Sequence, residues 1–250
     1  ISSSNISIGG DPSVATFFDG IYMPQATAMV AFSDLARVEV LKGPQGTLYG
    51  RNASAGVVNL IPNDPAQDEE GFVAAKIGTD GLMRFEGMVN TALTDNLALR
   101  VNALTNERDG YIHNLAGGGD GGAEDNQALR VALLWDISEA TSLKVAYDWD
   151  KVNNSARPAV GLSEFSYGQD PFSGTVENDL VDGGERRDMQ GLTLKLEHEI
   201  NDEWMVKVST SYREWETYNR QEEDGTSEAS VYADTNNQED SDIFYNEVSF

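Results

Sequence analysis

The feature that most restricts the fold of this chain is a two-residue alternation of apolar and polar side chains after residue 70. Between Leu129 and Ile137, for example, Leu129, Val131 and Leu133 share one face and Arg130 lies on the other. Successive side chains of a β-strand point to opposite faces, so this alternation predicts strands and not helices. The predicted strands are Phe72–Ile77, Phe85–Leu93, Leu97–Asn106, Leu129–Ile137, Leu143–Asp150, Leu192–Ile200, Trp204–Arg213 and Ile243–Phe250.

The connections between these strands alternate between short and long. If neighbouring strands are antiparallel, this alternation places the long polar connections together at one end of the sheet. Transmembrane barrels of the bacterial outer membrane have this arrangement, with short periplasmic turns and long external loops. One short connection, 79–81, falls on the long side. The short turns are 94–96, 138–142 and 201–203, and the long connections are 107–126, 152–188 and 216–242.

The tryptophans support a membrane-facing surface. Trp135, Trp149 and Trp204 lie on the apolar face of their strands, near the ends where an interfacial aromatic girdle is expected. Trp215 departs from this pattern because it shares parity with Arg213. The alternative is a soluble all-β protein with one solvated face.

Composition excludes several classes of protein. The chain has 250 residues, a formal net charge of −25 and no cysteine. The charge argues against binding of nucleic acid, which requires Lys and Arg to neutralise phosphates. The lack of cysteine excludes disulfides, thiol nucleophiles and cysteine-ligated metals. No apolar run reaches about 18 residues, so no transmembrane helix is predicted, although a barrel has no such run either.

Residues 1–65 have a different character from the alternating part. The stretch VEVLKGPQGTLYGRNASAGVVNLI contains four glycines between two β-prone runs, which indicates tight turns or close backbone packing. A phosphate-binding loop is not indicated, because Gly50 is followed by Arg51 and Asn52 where Lys and Ser or Thr are required. The polar, proline-containing stretch that follows predicts a first domain at 1–65, a linker at 66–70 and the strands at 71–250.

The motifs of residues 17–65 resemble the C-terminal half of the plug domain of TonB-dependent outer-membrane transporters. The matching elements are Asp19-Gly20, the run from Leu35 to Pro44, the run from Leu48 to Asn52 and the run from Ala55 to Ile61. The resemblance implies an all-β dominated fold: a transmembrane antiparallel β-barrel with a small α+β plug domain in its lumen.

The size of such a barrel implies that this chain is a fragment. Barrels of this kind have 22 strands, and eight strands closed alone leave no room for a plug. Residues 71–250 are therefore expected to supply about the first eight strands. The segment that pairs with TonB is expected upstream of Ile1.

The function implied by the resemblance is TonB-dependent uptake of a scarce nutrient across the outer membrane, with a ferric siderophore as the first expectation. Cobalamin or an oligosaccharide are alternatives, and a soluble secreted glycan-binding β protein is a further one. The expected partners are TonB, outer-membrane lipid and the nutrient, without nucleic acid. No enzymatic activity, cofactor or metal site is expected.

Three groups of candidate site residues follow from the resemblance. The loop after Asp19-Gly20 is expected near the external apex of the plug, where ligands bind, and the glycine-rich motif is expected to turn tightly inside the lumen. Ion pairs are expected between plug cations and carboxylates of the barrel. The ligand candidates are Tyr22, Met23, Gln25 and Thr27; the motif residues are Gly43, Pro44, Gly46, Gly50, Arg51 and Gly56; the ionic candidates are Arg37, Lys42, Arg51, Glu86, Glu197 and Glu199.

Overall fold

A computed structural model describes residues 13–24, 33–50, 52–161 and 172–250 of the chain. Three predicted site residues, Gln25, Thr27 and Arg51, lie outside the described residues. No described helix is long and apolar enough to cross a membrane. The elements are β1 (Val14–Phe18), β2 (Ile21–Met23), β3 (Leu35–Lys42), α1 (Gly46–Tyr49), β4 (Gly56–Pro62), β5 (Glu70–Ile77), β6 (Met83–Thr94), β7 (Leu97–Arg108), β8 (His113–Asn114), β9 (Glu124–Ser138), β10 (Thr141–Asn154), β11 (Thr175–Val176), β12 (Gly184–Asn201), β13 (Trp204–Glu222) and β14 (Asp234–Ser249).

The larger sheet, which we call the wall, contains eight strands in the order β5-β6-β7-β9-β10-β12-β13-β14. Every neighbouring pair in the wall is antiparallel. All eight predicted strands are present, but several continue further; β13, for example, reaches Glu222. The extensions were missed because both faces become polar there, and strand hydrogen bonding continues without the alternation that signals it.

The two faces of the wall have opposite character. Arg213 and Trp215 are buried on the inner face of β13, whereas Tyr212 is 44% exposed on the outer face. Val89, Leu192 and Phe244 are likewise exposed apolar residues of the wall. The apolar face therefore points outward, as in a membrane barrel, and does not pack on a second sheet as in a soluble sandwich.

The smaller sheet has the order β2-β1-β4-β3. We call this sheet, together with α1, the plug. β1 is parallel to β4 and antiparallel to β2. Its own core contains Ala15, Phe17, Ala53 and Val57. A second cluster joins Phe18 and Met23 of the plug to Met189 and Trp215 of the wall, so the plug packs against the inner face. Trp215 breaks the girdle pattern because it belongs to this contact.

The glycine-rich motif contributes close packing at one position in particular. Gly43 and Gly50 have left-handed backbones, with φ of 83° and 73°. Gly56 begins β4, opposite Lys42 of β3. A Cβ atom at Gly56 would lie 2.6 Å from the carbonyl oxygen of Leu41, which is backbone and cannot rotate away. This motif glycine therefore allows β3 and β4 to pair.

We expect Gly56→Ala to lower the free energy of plug unfolding by about 1–3 kcal/mol, because the two strands must separate to admit the methyl group. The matched control is Gly46→Ala, since a Cβ at Gly46 meets nothing within 4 Å and alanine favours the helix. Urea unfolding followed by tryptophan fluorescence would measure both, because Trp215 contacts the plug. Equal stability of the two variants would contradict the conclusion that Gly56 is required for β3 and β4 to pair closely.

Candidate functional site

The contact between plug and wall centres on Asp19, at the tip of the β1–β2 hairpin. Asp19 and Gly20 have φ of 52° and 73°, the backbone of a two-residue type I′ turn, for which Asp-Gly is a preferred sequence. This turn projects the Asp19 carboxylate from the plug into the wall, where the residue is 5% exposed. The Asp-Gly sequence thus favours the hairpin turn, and the turn places the Asp19 carboxylate against the inner face of the wall.

Three cations from three wall strands meet the Asp19 carboxylate. Its Oδ1 accepts hydrogen bonds from Lys195 Nζ at 2.6 Å and from Lys144 Nζ at 3.0 Å. Its Oδ2 accepts one from Arg130 Nη2 at 2.9 Å. Lys195 also donates to the Asp19 backbone carbonyl. We call Asp19 with these three cations the hairpin anchor; charge-assisted bonds of this kind are stronger than neutral ones.

A second carboxylate supports the hairpin anchor from within the wall. Asp148 of β10 accepts hydrogen bonds from Arg130 and, at 3.2 Å, from Arg213 Nη2. The guanidinium carbons of Arg130 and Arg213 lie 5.0 and 5.8 Å from the centre of the Phe18 ring. The hairpin tip is therefore held by cation–π contacts as well as by ion pairs.

The electrostatics of the anchor keep Asp19 ionised. Burial raises the pKa of Asp19, but the charges of Lys144, Lys195 and Arg130 outweigh burial and lower the pKa from its ordinary value of 3.8 to about 2. Because the pKa in the folded plug lies below that of the unfolded chain, ionised Asp19 stabilises the folded state.

This shift predicts an acid-dependent loss of plug stability. The contribution of Asp19, about 2 kcal/mol for a shift of this size, is complete above about pH 4 and is lost as the pH falls towards 2. Urea unfolding of the plug at a series of pH values would measure it. The same series with Asp19→Asn isolates Asp19 from other carboxylates, and parallel pH profiles for the two proteins would contradict the prediction.

A second buried ion pair joins the plug to the wall near β5. Arg100 of β7 donates Nε to Asp34 Oδ2 at 2.6 Å and Nη2 to Asp34 Oδ1 at 2.7 Å. The side chains of Arg100 and Asp34 are 6% and 8% exposed. Arg100 also contacts Glu70, whose side chain is half exposed. The two-point geometry fixes the end of the plug next to the first wall strand.

The predicted ion pairs between plug cations and wall carboxylates are not brought together among the described residues. The observed pairs have the opposite polarity, with plug carboxylates Asp19 and Asp34 facing wall cations. Among the described residues Lys42 makes no ion pair; its carbonyl accepts from Gln45 Nε2 at 3.4 Å, and Glu199 is exposed. The other candidates pair within their own sheets: Arg37 with Glu39 at 2.7 Å, Glu86 with Arg84 at 3.1 Å, and Glu197 with Lys207 at 2.9 Å.

The sequence contained a signal for the true polarity. Arg100, Arg130, Lys144 and Lys195 all fall on the polar parity of predicted strands, in a chain where only 17 residues are Lys or Arg. Asp19 was recognised only as part of a turn and motif. Cations concentrated on one inner face require buried counter-charges. Asp19, at the tip of a hairpin that precedes these strands, can supply such a charge.

The predicted ligand residues that are described lie within the plug packing. The hydroxyl of Tyr22 accepts a hydrogen bond from Asn52 Nδ2 at 2.8 Å, and its ring contacts Phe17 edge-on at 5.8 Å. Met23 is 1% exposed and packs with Trp215, so the structure gives it no surface for a ligand. Pro44 follows the left-handed Gly43, between β3 and α1.

These features define a class of protein: a small plug fastened by buried ion pairs to the polar inner face of a transmembrane barrel wall. Comparisons with known proteins agree. Residues 2–57 match the family described as TonB-dependent Receptor Plug Domain. The pesticin receptor of Yersinia pestis is 30% identical over 141 residues, 53% of this chain and 21% of that protein.

Two further comparisons cover most of the chain. The catecholate siderophore receptor Fiu of Escherichia coli is 26% identical over 219 residues, 82% of this chain and 28% of that protein. The crystal structure of the ferric yersiniabactin uptake receptor FyuA from Yersinia pestis matches with a TM-score of 0.74 and 22% identity, over 84% of this chain and 33% of that one. The chain thus spans about a fifth to a third of these relatives. Residues 2–57 therefore match the plug domain of TonB-dependent receptors, and the chain as a whole is similar to a fragment of such receptors of the bacterial outer membrane.

Proposed function

We propose that the receptor containing this chain takes up a ferric siderophore across the outer membrane, using energy delivered through TonB. The observation that carries the proposal is the plug, fastened to the inner face by Asp19 and Asp34 through buried ion pairs. A solute can pass a plug held in this way only if work loosens it. A partner that delivers work to the plug is therefore part of the proposed mechanism.

The siderophore as cargo is supported by the relatives. Fiu is a receptor for catecholate siderophores and FyuA takes up ferric yersiniabactin. The two are similar to overlapping parts of this chain and differ in the siderophore that they take up. We therefore propose the class of cargo, an iron–siderophore complex, and leave the individual siderophore to experiment.

The test is uptake of radioactive iron by a strain that lacks its own siderophore receptors and expresses the full-length receptor. We expect uptake from at least one member of a panel of catecholate, hydroxamate and phenolate siderophores, and its loss when a protonophore removes the proton gradient. A matched strain with an empty vector is the control. Uptake of cobalamin or an oligosaccharide, without uptake of any siderophore, would overturn the proposed cargo.

A further inference from the structure

The connection between the plug and the wall, residues 63–69, overlaps the predicted linker 66–70 and contains no regular element in the structure. It is nevertheless fastened, by its first residue to the plug and from Asp64 onward to the wall. Asn63 donates its backbone N–H and its side-chain Nδ2 to Asp34, at 3.1 Å to the carbonyl oxygen and 2.8 Å to Oδ1. The carboxylate of Asp64 accepts from Lys144 Nζ at 2.6 Å, and the next residue, Pro65, is buried.

The centre of this fastening is Asn90 of β6, which is 0% exposed. Its Oδ1 accepts the N–H of Ala66 at 3.0 Å, and its Nδ2 donates to the carbonyl of Ala66 at 2.8 Å and to that of Asp68 at 2.5 Å. The side-chain amide thus uses both donors and its acceptor on the backbone of the connection, as a neighbouring strand would. Thr91 continues the contact by donating to Glu69 at 2.7 Å.

These bonds distinguish the connection from a hinge. A hinge needs backbone that can change φ and ψ at low cost. Here two carbonyls and one N–H of the connection bond to the buried side-chain amide of Asn90. Movement of the connection away from β6 would leave that amide unpaired. The ion pair of Asp64 with Lys144 holds the first half of the connection on the wall, and Glu70, which begins β5, pairs with Arg100 where the connection joins the wall.

We propose that residues 64–69 form a fixed strap, positioned by Asn90, that stays on the wall while the plug is loosened. The plug residues that precede the strap in the chain then rearrange inside the lumen. The plug does not swing out of the lumen with the strap as its hinge. The statement about transport rests on the proposed function, but the statement that the strap is fixed does not.

Hydrogen exchange of the full-length receptor tests the strap without any transport. The amide of Ala66, which donates to Asn90 Oδ1, should exchange more slowly than that of Asp202 in the exposed turn 201–203. Asn90→Asp should speed exchange in the strap by about tenfold or more, because the carboxylate cannot donate to the two carbonyls. Asn106→Asp, at another buried Asn of the wall, is the matched control and should leave the strap unchanged. Rapid exchange of the wild-type strap, or equal effects of both variants, would overturn the proposal.

A covalent strap tests the transport statement. The chain has no cysteine, so the pair Glu69→Cys and Thr91→Cys, whose side chains are in contact beside the pair Glu70–Asn90, is designed to form a disulfide that leaves Asn90 in place. We expect the oxidised and the reduced receptor to import iron–siderophore at the same rate. Loss of uptake on oxidation and recovery on reduction would show that the strap must leave the wall. If the wild-type receptor imports no siderophore, the proposed cargo fails, and hydrogen exchange alone decides whether the strap is fixed.

Discussion

Replacing Asp19 by asparagine is expected to lower the free energy of plug unfolding at pH 7 by about 2–3 kcal/mol, because one partner of a buried ion pair loses its charge. Asparagine has nearly the same size and tolerates the left-handed backbone, so the turn is preserved. The loss is electrostatic, because Lys144, Lys195 and Arg130 stay close together without their shared counter-charge. Urea unfolding in detergent, followed by tryptophan fluorescence, would measure it.

The matched control for this variant is Asp80→Asn. Asp80 also has a left-handed backbone, with φ of 57°, but it lies exposed in the turn between β5 and β6. Its only described side-chain contact is a hydrogen bond from Thr79. We expect a change below about 0.5 kcal/mol, as for an ordinary surface substitution. If Asp19→Asn were as mild as Asp80→Asn, the hairpin anchor would not hold the plug.

Replacing Arg100 by methionine is expected to cost about 3 kcal/mol or more of plug stability. The substitution leaves Asp34 buried and charged without its two-point partner, while the methionine keeps much of the apolar stem. The double variant Arg100→Met with Asp34→Asn should recover part of the loss, because the uncompensated charge is then removed as well. Asparagine again suits the site, since Asp34 has φ of 56°.

The control for Arg100 is Arg84→Met. Arg84 pairs with Glu86 at 3.1 Å, but both belong to β6 and the arginine side chain is 34% exposed. A solvent-exposed pair of this kind contributes about 0–1 kcal/mol. If the double variant of Arg100 and Asp34 showed the plain sum of the two single losses, the pair would not be energetically coupled, and the proposed second attachment would fail.

Together these variants separate two ways in which the plug is held. The hairpin anchor uses one plug carboxylate against three wall cations, whereas the Arg100 contact is a single two-point pair beside the strap. Since the two sites share no partner in the part of the chain that the structure describes, their losses should add. In the proposed mechanism, loosening of the plug has to overcome at least one of these contacts.

Local rules made the strands and their faces predictable. Alternation over segments such as Leu129–Ile137 predicted both the strand and its outward apolar side, because the period depends only on neighbouring residues. The Asp19-Gly20 turn was likewise readable, since type I′ turns demand particular residues. The strand ends were predicted less well, because the alternation ends before the hydrogen bonding does.

The pairing of charges was not predictable in the same way. Asp19 lies 111 positions from Arg130 and 176 from Lys195, and which of the many carboxylates meets these cations depends on how the plug sits against the wall. The prediction gave the cations to the plug, whereas the described pairs have plug carboxylates and wall cations. Asn90 carries no distinctive motif, and its role appears only where the connection folds back over β6.

By itself the sequence determined an antiparallel wall with an apolar outer face and long loops at one end. It also determined a compact glycine-rich domain that precedes the wall in the chain. Each of these features follows from side-chain period and turn chemistry. The tertiary structure decided which charges are buried together and that the connection is fastened to the wall. The physical reason is that a buried ion pair or amide contact is specified by the register and placement of elements far apart in the chain, and short-range preferences do not encode it.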